Sequence, residues 1–151
     1  MKLVVQRVES AKVTLTMDND GLSAGTVVGQ IKKGLFVLVG FKKGDTEKDV
    51  EVLSEKLLKL RVMSDSQDKM NLSVKDANGS FLIVSQFTLN ADTSGGNRPS
   101  FINAEEPEKA KKLYNLFVEK IKASGIKTET GSFGGYMKID CILDGPVTIL
   151  Y

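Results

Sequence analysis

Ser85-Gln86-Phe87-Thr88 places two hydroxyls and a carboxamide within four residues, directly after the apolar run Phe81 to Val84. If the strand continues, Gln86 and Thr88 share one face while Ser85 and Phe87 share the other. A strand that turns from apolar to polar is leaving the core for a surface or a cleft, although hydroxyls that merely satisfy nearby backbone groups would give the same pattern. Thr88 is the obvious candidate nucleophile, but a threonine hydroxyl attacks poorly without an adjacent base or a lowered pKa. The chain has no histidine, which excludes a Ser-His-Asp or Cys-His relay. One cysteine, Cys141, and no imidazole cannot make a zinc site. Asp45, Glu47 and Asp49 read as carboxylates favourable to a helix start rather than as magnesium ligands, so no metal is expected.

Further residues could build a site with these. Asp144-Gly145-Pro146, between apolar segments, is a turn signal, and X-Pro is the one peptide bond with appreciable cis population, about 5% in folded proteins. Arg7 interrupts an apolar strand, and an arginine on a buried side has a carbonyl or carboxylate partner. Phe133, Gly134 and Met137 combine close backbone approach with an aromatic ring and a flexible thioether; core packing and the sandwiching of a nucleobase both use that combination. Asn97-Arg98-Pro99-Ser100-Phe101 follows two glycines and bears on a phosphate or a pocket rim.

The elements that must position these groups are legible from periodicity. Leu3–Val8 and Lys12–Met17 read as strands joined by a tight turn, followed by a turn cluster at Asp18-Asn19-Asp20-Gly21 and a third strand at Val27–Ile31. Leu35–Val39 is continuously apolar, as in a strand covered on both faces. Thr46, with Asp49 three residues on, opens a helix whose stripe is Val50, Leu53, Leu57 and Leu60. Asp76–Gly79 turns into a second buried strand, Phe81–Phe87. Pro107 suits the first turn of a second helix, with Ala110, Leu113, Tyr114, Phe117 and Ile121 facing inward and Gly125 as its stop. Met137–Leu143 and Val147–Tyr151 finish the chain as strands hinged at Gly145-Pro146. Seven or eight strands and two helices make an α+β fold, a sheet or partly closed barrel with two covering helices.

Length and composition set the frame. With 151 residues, 41% hydrophobic and 26% charged, the chain is expected to form one globular domain over residues 1–151. No apolar run approaches the roughly 20 residues of a membrane span, and the alternating start at Met1-Lys2 shows no signal-peptide pattern. A lone cysteine fits a reducing compartment. A net charge of +2 is too small to announce nucleic-acid binding, and the paired lysines Lys32-Lys33 and Lys42-Lys43 read first as a solvated surface.

Taken in order, Val5-Gln6-Arg7-Val8, Ser85-Gln86-Phe87-Thr88-Leu89, Asn97 to Phe101, Thr130-Gly131-Ser132-Phe133-Gly134, Met137 and Asp144-Gly145-Pro146-Val147-Thr148 resemble the D-aminoacyl-tRNA deacylases. The similarity runs from Met1 to Tyr151. It implies a homodimeric, β-barrel-like, cytoplasmic tRNA-editing hydrolase that needs no cofactor. Its substrate would be the acylated 3′ end of tRNA, and neither DNA nor a membrane would be a partner. By resemblance, Ser85, Gln86, Phe87 and Thr88 form the catalytic set, while Gly145, Pro146, Phe133, Gly134, Met137 and Arg7 bind substrate. The Gly145-Pro146 bond would be cis and project into the partner subunit's site, holding the α-amino group and excluding L side chains sterically; glycyl-tRNA, having no side chain, would leak through. Arg7 would brace that segment, and Phe133 to Met137 would receive the terminal adenine. Phe87 matches the D-specific branch rather than the sister branch that edits L-alanyl-tRNA. With no protein base, a positioned water and the neighbouring ribose hydroxyl fit better than a covalent threonyl intermediate, so Thr88 is expected to position rather than attack. The alternatives are a non-catalytic module binding an RNA 3′ end, with Phe133 and Phe87 as stacking platforms, and a dimeric scaffold in which Gly145-Pro146 is only a turn.

Overall fold

A computed structural model describes residues 1–17 and 24–151, in which eight strands and two α-helices follow one another in chain order. The strands are β1 (Lys2–Met17), β2 (Val27–Ile31), β3 (Gly34–Gly40), β4 (Met63–Ser64), β5 (Met70–Leu72), β6 (Ser80–Ser85), β7 (Thr128–Thr130) and β8 (Tyr136–Leu150). The helices are α1 (Glu47–Leu58) and α2 (Pro107–Lys122), and a 3₁₀ turn covers Phe87–Asn90. The expected turn at Asp18–Gly21 lies outside the described residues.

The main sheet runs β2-β1-β3-β6-β7, with β8 also pairing along β1. β1 is antiparallel to β2, β3 and β8, whereas β3, β6 and β7 are parallel neighbours. Parallel neighbours need long crossovers, and α1 and α2 lie within those that join β3 to β6 and β6 to β7. The sheet curls until its edges nearly meet. A Cβ on Gly29 of β2 would lie 2.5 Å from the carbonyl oxygen of Thr130 in β7, so only glycine permits that approach. The result is a mixed sheet nearly closed into a barrel, with two helices against its outside.

The buried strands explain both cores. On β3, Leu35, Val37 and Val39 face the helices and Phe36 faces the barrel interior; on β6, Phe81 and Ile83 alternate with Leu82 and Val84 in the same way. The outer layer adds Val50 and Leu57 from α1 and Leu113, Phe117 and Ile121 from α2. Full burial of a side chain such as Phe117 contributes about 2–3 kcal/mol. α1 begins as its sequence predicts, with Asp49 Oδ2 accepting from the Thr46 N–H (2.8 Å) and hydroxyl (2.7 Å).

Three expectations about strands are corrected. Lys2–Met17 is one strand rather than two joined by a turn. Glu9-Ser10-Ala11 carries no Gly, Pro, Asn or Asp, and register shifts against β8 bend the strand instead of reversing it. The strand expected to reach Phe87 ends at Ser85, where the chain tightens into the 3₁₀ turn. The two terminal strands are one, β8, interrupted by a bulge: Val8 pairs with Leu143 and Gln6 with Thr148, so Asp144–Val147 stand opposite Arg7 alone.

Candidate active site

The end of β6 is built from its neighbours. Gln86 N–H donates to the Val39 carbonyl (2.7 Å), and a Cβ on Gly40 would sit 2.7 Å from the Gln86 carbonyl oxygen. β3 therefore fixes where the chain turns. The turn itself is held by Leu89 N–H to the Gln86 carbonyl (3.4 Å) and Ala91 N–H to the Thr88 carbonyl (3.0 Å). Asn90 Nδ2 ties it down by donating to the Phe41 carbonyl at 2.8 Å. Because of this turn, strand alternation does not place Thr88. Its hydroxyl accepts from Gln86 Nε2 at 2.5 Å and is exposed.

The Thr130–Met137 segment comes to the same place because β7 lies parallel to β6. The Ile83 carbonyl accepts both the Gly131 N–H (3.0 Å) and the Tyr114 hydroxyl (2.9 Å). Burial pushes the Tyr114 phenol far up, so it stays a protonated donor. Its ring packs against Phe133 with centroids 5.6 Å apart, which lets α2 set the position of Phe133. The Met137 sulfur accepts from Ser132 N–H (3.3 Å), and a Cβ on Gly131 would lie 2.9 Å from it.

A cavity of about 680 Å³ opens between these segments. Of the residues singled out from the sequence, Ser85, Gln86, Phe87, Phe133, Gly134 and Met137 line it. Thr88, Arg7, Gly145 and Pro146 do not line it. Sequence reasoning did not place Phe41, Ala104, Glu105, Pro107, Ala110 and Tyr136 at a site, and they also line the cavity. Among the described residues, Glu105 is the only charged side chain in the lining. Its carboxylate accepts from Lys109 (2.7 Å), and that hydrogen bond with the Glu106 N–H holds it below the usual carboxylate range. Locally the pair reads as an ordinary i,i+4 contact at a helix start, and nothing in it signals a cavity. The Asn97–Phe101 loop reaches the rim, where Phe101 meets Phe87 edge-on at 5.1 Å.

The Asp144–Val147 bulge of β8 is fixed from beneath. Arg7, 8% exposed, donates to the Val62 carbonyl (2.8 Å) and the Asp144 carbonyl (3.2 Å), and pairs with the Asp144 carboxylate at 3.0 Å. Gly145 has φ +128, which a side chain would strain, and the Gly145-Pro146 bond is cis. Both residues are exposed. Among the described residues no group of His, Cys, Asp and Glu could hold a metal ion, and no helix is long and apolar enough to cross a membrane. Asp45 and Asp49 are engaged instead, by the Lys42 N–H and by Thr46.

Comparisons with known proteins agree with this architecture. A family model described as D-Tyr-tRNA(Tyr) deacylase matches residues 4–151. The D-aminoacyl-tRNA deacylase of Thermosipho melanesiensis is 54% identical over 151 residues, covering 99% of this chain and 95% of that protein. The protein of the same name from Aquifex aeolicus is 49% identical over 150 residues, covering 99% and 96%. Among solved structures, one named c-Myc DNA Unwinding Element Binding Protein superposes with a TM-score of 0.88 at 39% identity, covering 100% of this chain and 97% of that one. A probable eukaryotic D-amino acid tRNA deacylase shares the fold, with a TM-score of 0.81 at 15% identity over 99% and 97%.

Proposed function

The chain belongs to the D-Tyr-tRNA(Tyr) deacylase family and is a hydrolase of the D-aminoacyl-tRNA ester, and we propose that it tells D from L by main-chain geometry supplied across a homodimer. One observation carries this reading. Ser85, Gln86 and Phe87 share a cavity with Phe133, Gly134 and Met137, while Gly145 and Pro146 stand exposed outside it on a braced bulge. In this reading a filter built on Gly145-Pro146 acts in the cavity of a second copy. The surface of β8 supports such pairing: Ile142, Leu143 and Leu150 are 58%, 44% and 72% exposed, apolar side chains that a monomer would leave in water.

In this reading the terminal adenine packs between Phe133 and Met137, which places the ester beside Ser85–Thr88. The first N–H groups of a 3₁₀ turn have no partner within the turn, so those of Phe87 and Thr88 can donate to the developing oxyanion. Water adds to the acyl carbon, the bond to the ribose oxygen breaks, and that oxygen takes the proton, assisted by the neighbouring ribose hydroxyl. Among the described lining residues the one carboxylate, Glu105, is held low by Lys109 and is a weak base, so the substrate's own hydroxyl carries that role here. With the α-amino group held by the partner subunit's Gly145-Pro146 carbonyls, a D side chain points to solvent and an L side chain meets main chain. Steric exclusion of this kind discriminates more strongly than the misfit of a methylene group. Such an enzyme works where aminoacyl-tRNA is used, in the cytoplasm, without a cofactor.

Incubation with D-tyrosyl-, L-tyrosyl- and glycyl-tRNA in separate reactions tests it. The expected result is fast release from the D ester, slower release from the glycyl ester and none from the L ester. Inertness toward glycyl-tRNA would contradict a purely steric filter. Binding of the D ester without release would favour a module that only holds an RNA 3′ end.

A further inference from the structure

Beside the cavity lies a second depression of about 370 Å³ whose chemistry is different. The two share a wall. Lys43 N–H donates to the Asn103 carbonyl and Glu105 N–H to the Phe41 carbonyl, both at 3.0 Å, so Phe41–Lys43 and Asn103–Glu105 run side by side. Phe41, Ala104 and Glu105 face the first space, whereas Lys42, Lys43 and Asn103 line the second. The 3₁₀ turn links them as well, with Phe87 lining one and Asn90 the other.

The second depression is cationic. Lys2, Lys42 and Lys43 line it, against one carboxylate, Asp92. Asp92 is already engaged by the Ser94 N–H (2.9 Å) and hydroxyl (2.6 Å). Lys43 lies 3.9 Å from Glu106 in an exposed, weak pair, and the Lys42 ammonium has no ion-pair partner among the described residues. For a chain whose whole net charge is +2, this is a local concentration of positive charge. Asn90 adds an unusual feature. It is 5% exposed, its Nδ2 is committed to Phe41, and its Oδ1 has no partner among the described residues. Cations together with a spare acceptor match a nucleotide, which brings a phosphate and base N–H groups, better than a simple anion.

We infer that Lys2, Lys42 and Lys43, with Asn90, form a subsite for the single-stranded phosphodiester backbone leading to the acylated terminal nucleoside of the tRNA. The inference rests on the deacylase reading, which puts that nucleoside in the neighbouring cavity, one shared wall away from these lysines. The subsite gives affinity for the polynucleotide and takes no part in breaking the ester.

The test compares wild type with a Lys42→Gln/Lys43→Gln double variant on two substrates, D-tyrosyl-tRNA and D-tyrosyl-adenosine, over a range of salt. Lys2 is left intact because its ammonium also donates to the Leu89 carbonyl (2.9 Å). Both substituted side chains are exposed, and an unchanged melting temperature confirms the fold. On tRNA, kcat/KM is expected to fall about tenfold at low salt, and the slope of its logarithm against log salt to flatten by about 0.7 for each phosphate that is no longer neutralised. On the adenosine ester nothing should change. Equal losses on both substrates, or no loss on tRNA, would overturn the subsite while leaving the deacylase reading intact. A wild type inactive on both would remove the reading and the subsite together.

Discussion

Arg7 stands in a strand where a purely apolar alternation would have served the core, and its guanidinium reaches Val62 on one side and Asp144 on the other. Arg7→Lys keeps the charge but not the planar fork that spans both partners. We expect it to cost about 2–3 kcal/mol in urea unfolding, since it strands a buried carbonyl and leaves Asp144 half-paired. It should also lower the D-to-L rate ratio, because the bulge loses its brace; an unaltered ratio would detach Arg7 from selectivity. Thr88 and Glu105 pose the question of who moves the proton. The Thr88 hydroxyl is tied to Gln86, and Glu105 is ionised and shared with Lys109, so neither is an activated nucleophile or a poised base. Thr88→Ala and Glu105→Gln should each retain turnover within about tenfold of wild type, with an unchanged pH–rate profile. A loss of several orders of magnitude at normal affinity, or a vanished basic limb in the Glu105 variant, would assign that side chain the chemistry.

At the scale of elements, the position of the 3₁₀ turn depends on the end of β3. Gly40→Ala would push a methyl to 2.7 Å from the Gln86 carbonyl oxygen and 3.0 Å from Leu89 Cβ. The expected cost is about 1–3 kcal/mol of overpacking, together with reduced turnover as Gln86–Thr88 shift. Gly95→Ala, where a Cβ meets nothing within 4 Å, is the control and should be silent in both measurements. The two helices and the two buried strands were legible in the sequence because their signals are local: Thr46 with Asp49, Pro107 at a first turn, and unbroken apolar runs. The break after Ser85 was not legible, since nothing in Gln86-Phe87-Thr88 opposes a strand; the Asn90 bond to Phe41 and the β3 contact impose the turn from 49 residues away. The continuity of β1 through Glu9-Ser10 was missed for the same reason, because a partner strand that shifts register leaves no mark on the strand it bends. Of the cavity lining, Ser85–Phe87, Phe133, Gly134 and Met137 were readable as motifs. Glu105, Ala110 and Phe41 join it only through tertiary packing.

The whole molecule responds to pH through its carboxylates. The Thr46 hydroxyl and N–H hold Asp49 low, Gln67 and Lys69 N–H groups hold Asp65, Ser73 holds Asp76, and Ser94 holds Asp92. Each folded pKa lies below its unfolded value of about 4. Their stabilisation is therefore fully present above that value and lost as pH falls through the lower folded one. With no histidine in the chain, the melting temperature should be level from about pH 8 to pH 5 and drop below about pH 4. A transition centred near pH 6.5 would contradict this.

The proposed basis of selectivity also belongs to the whole molecule, because Gly145 and Pro146 do not line the cavity of their own chain. Two variants isolate them: Ala110→Trp, which fills the cavity, and a chain lacking Gly145 and Pro146. Sedimentation should show both as dimers, and each alone should be impaired on D-tyrosyl-tRNA. On the proposed reading, a mixed dimer brings the intact cavity of one chain against the intact bulge of the other. After subunit exchange of equal amounts, half of the dimers are mixed with one whole site each, so activity on the D ester should return to about a quarter of wild type while the L ester stays intact. Activity that stays at the mean of the two parents after exchange would show that the bulge does not serve the cavity of a second subunit.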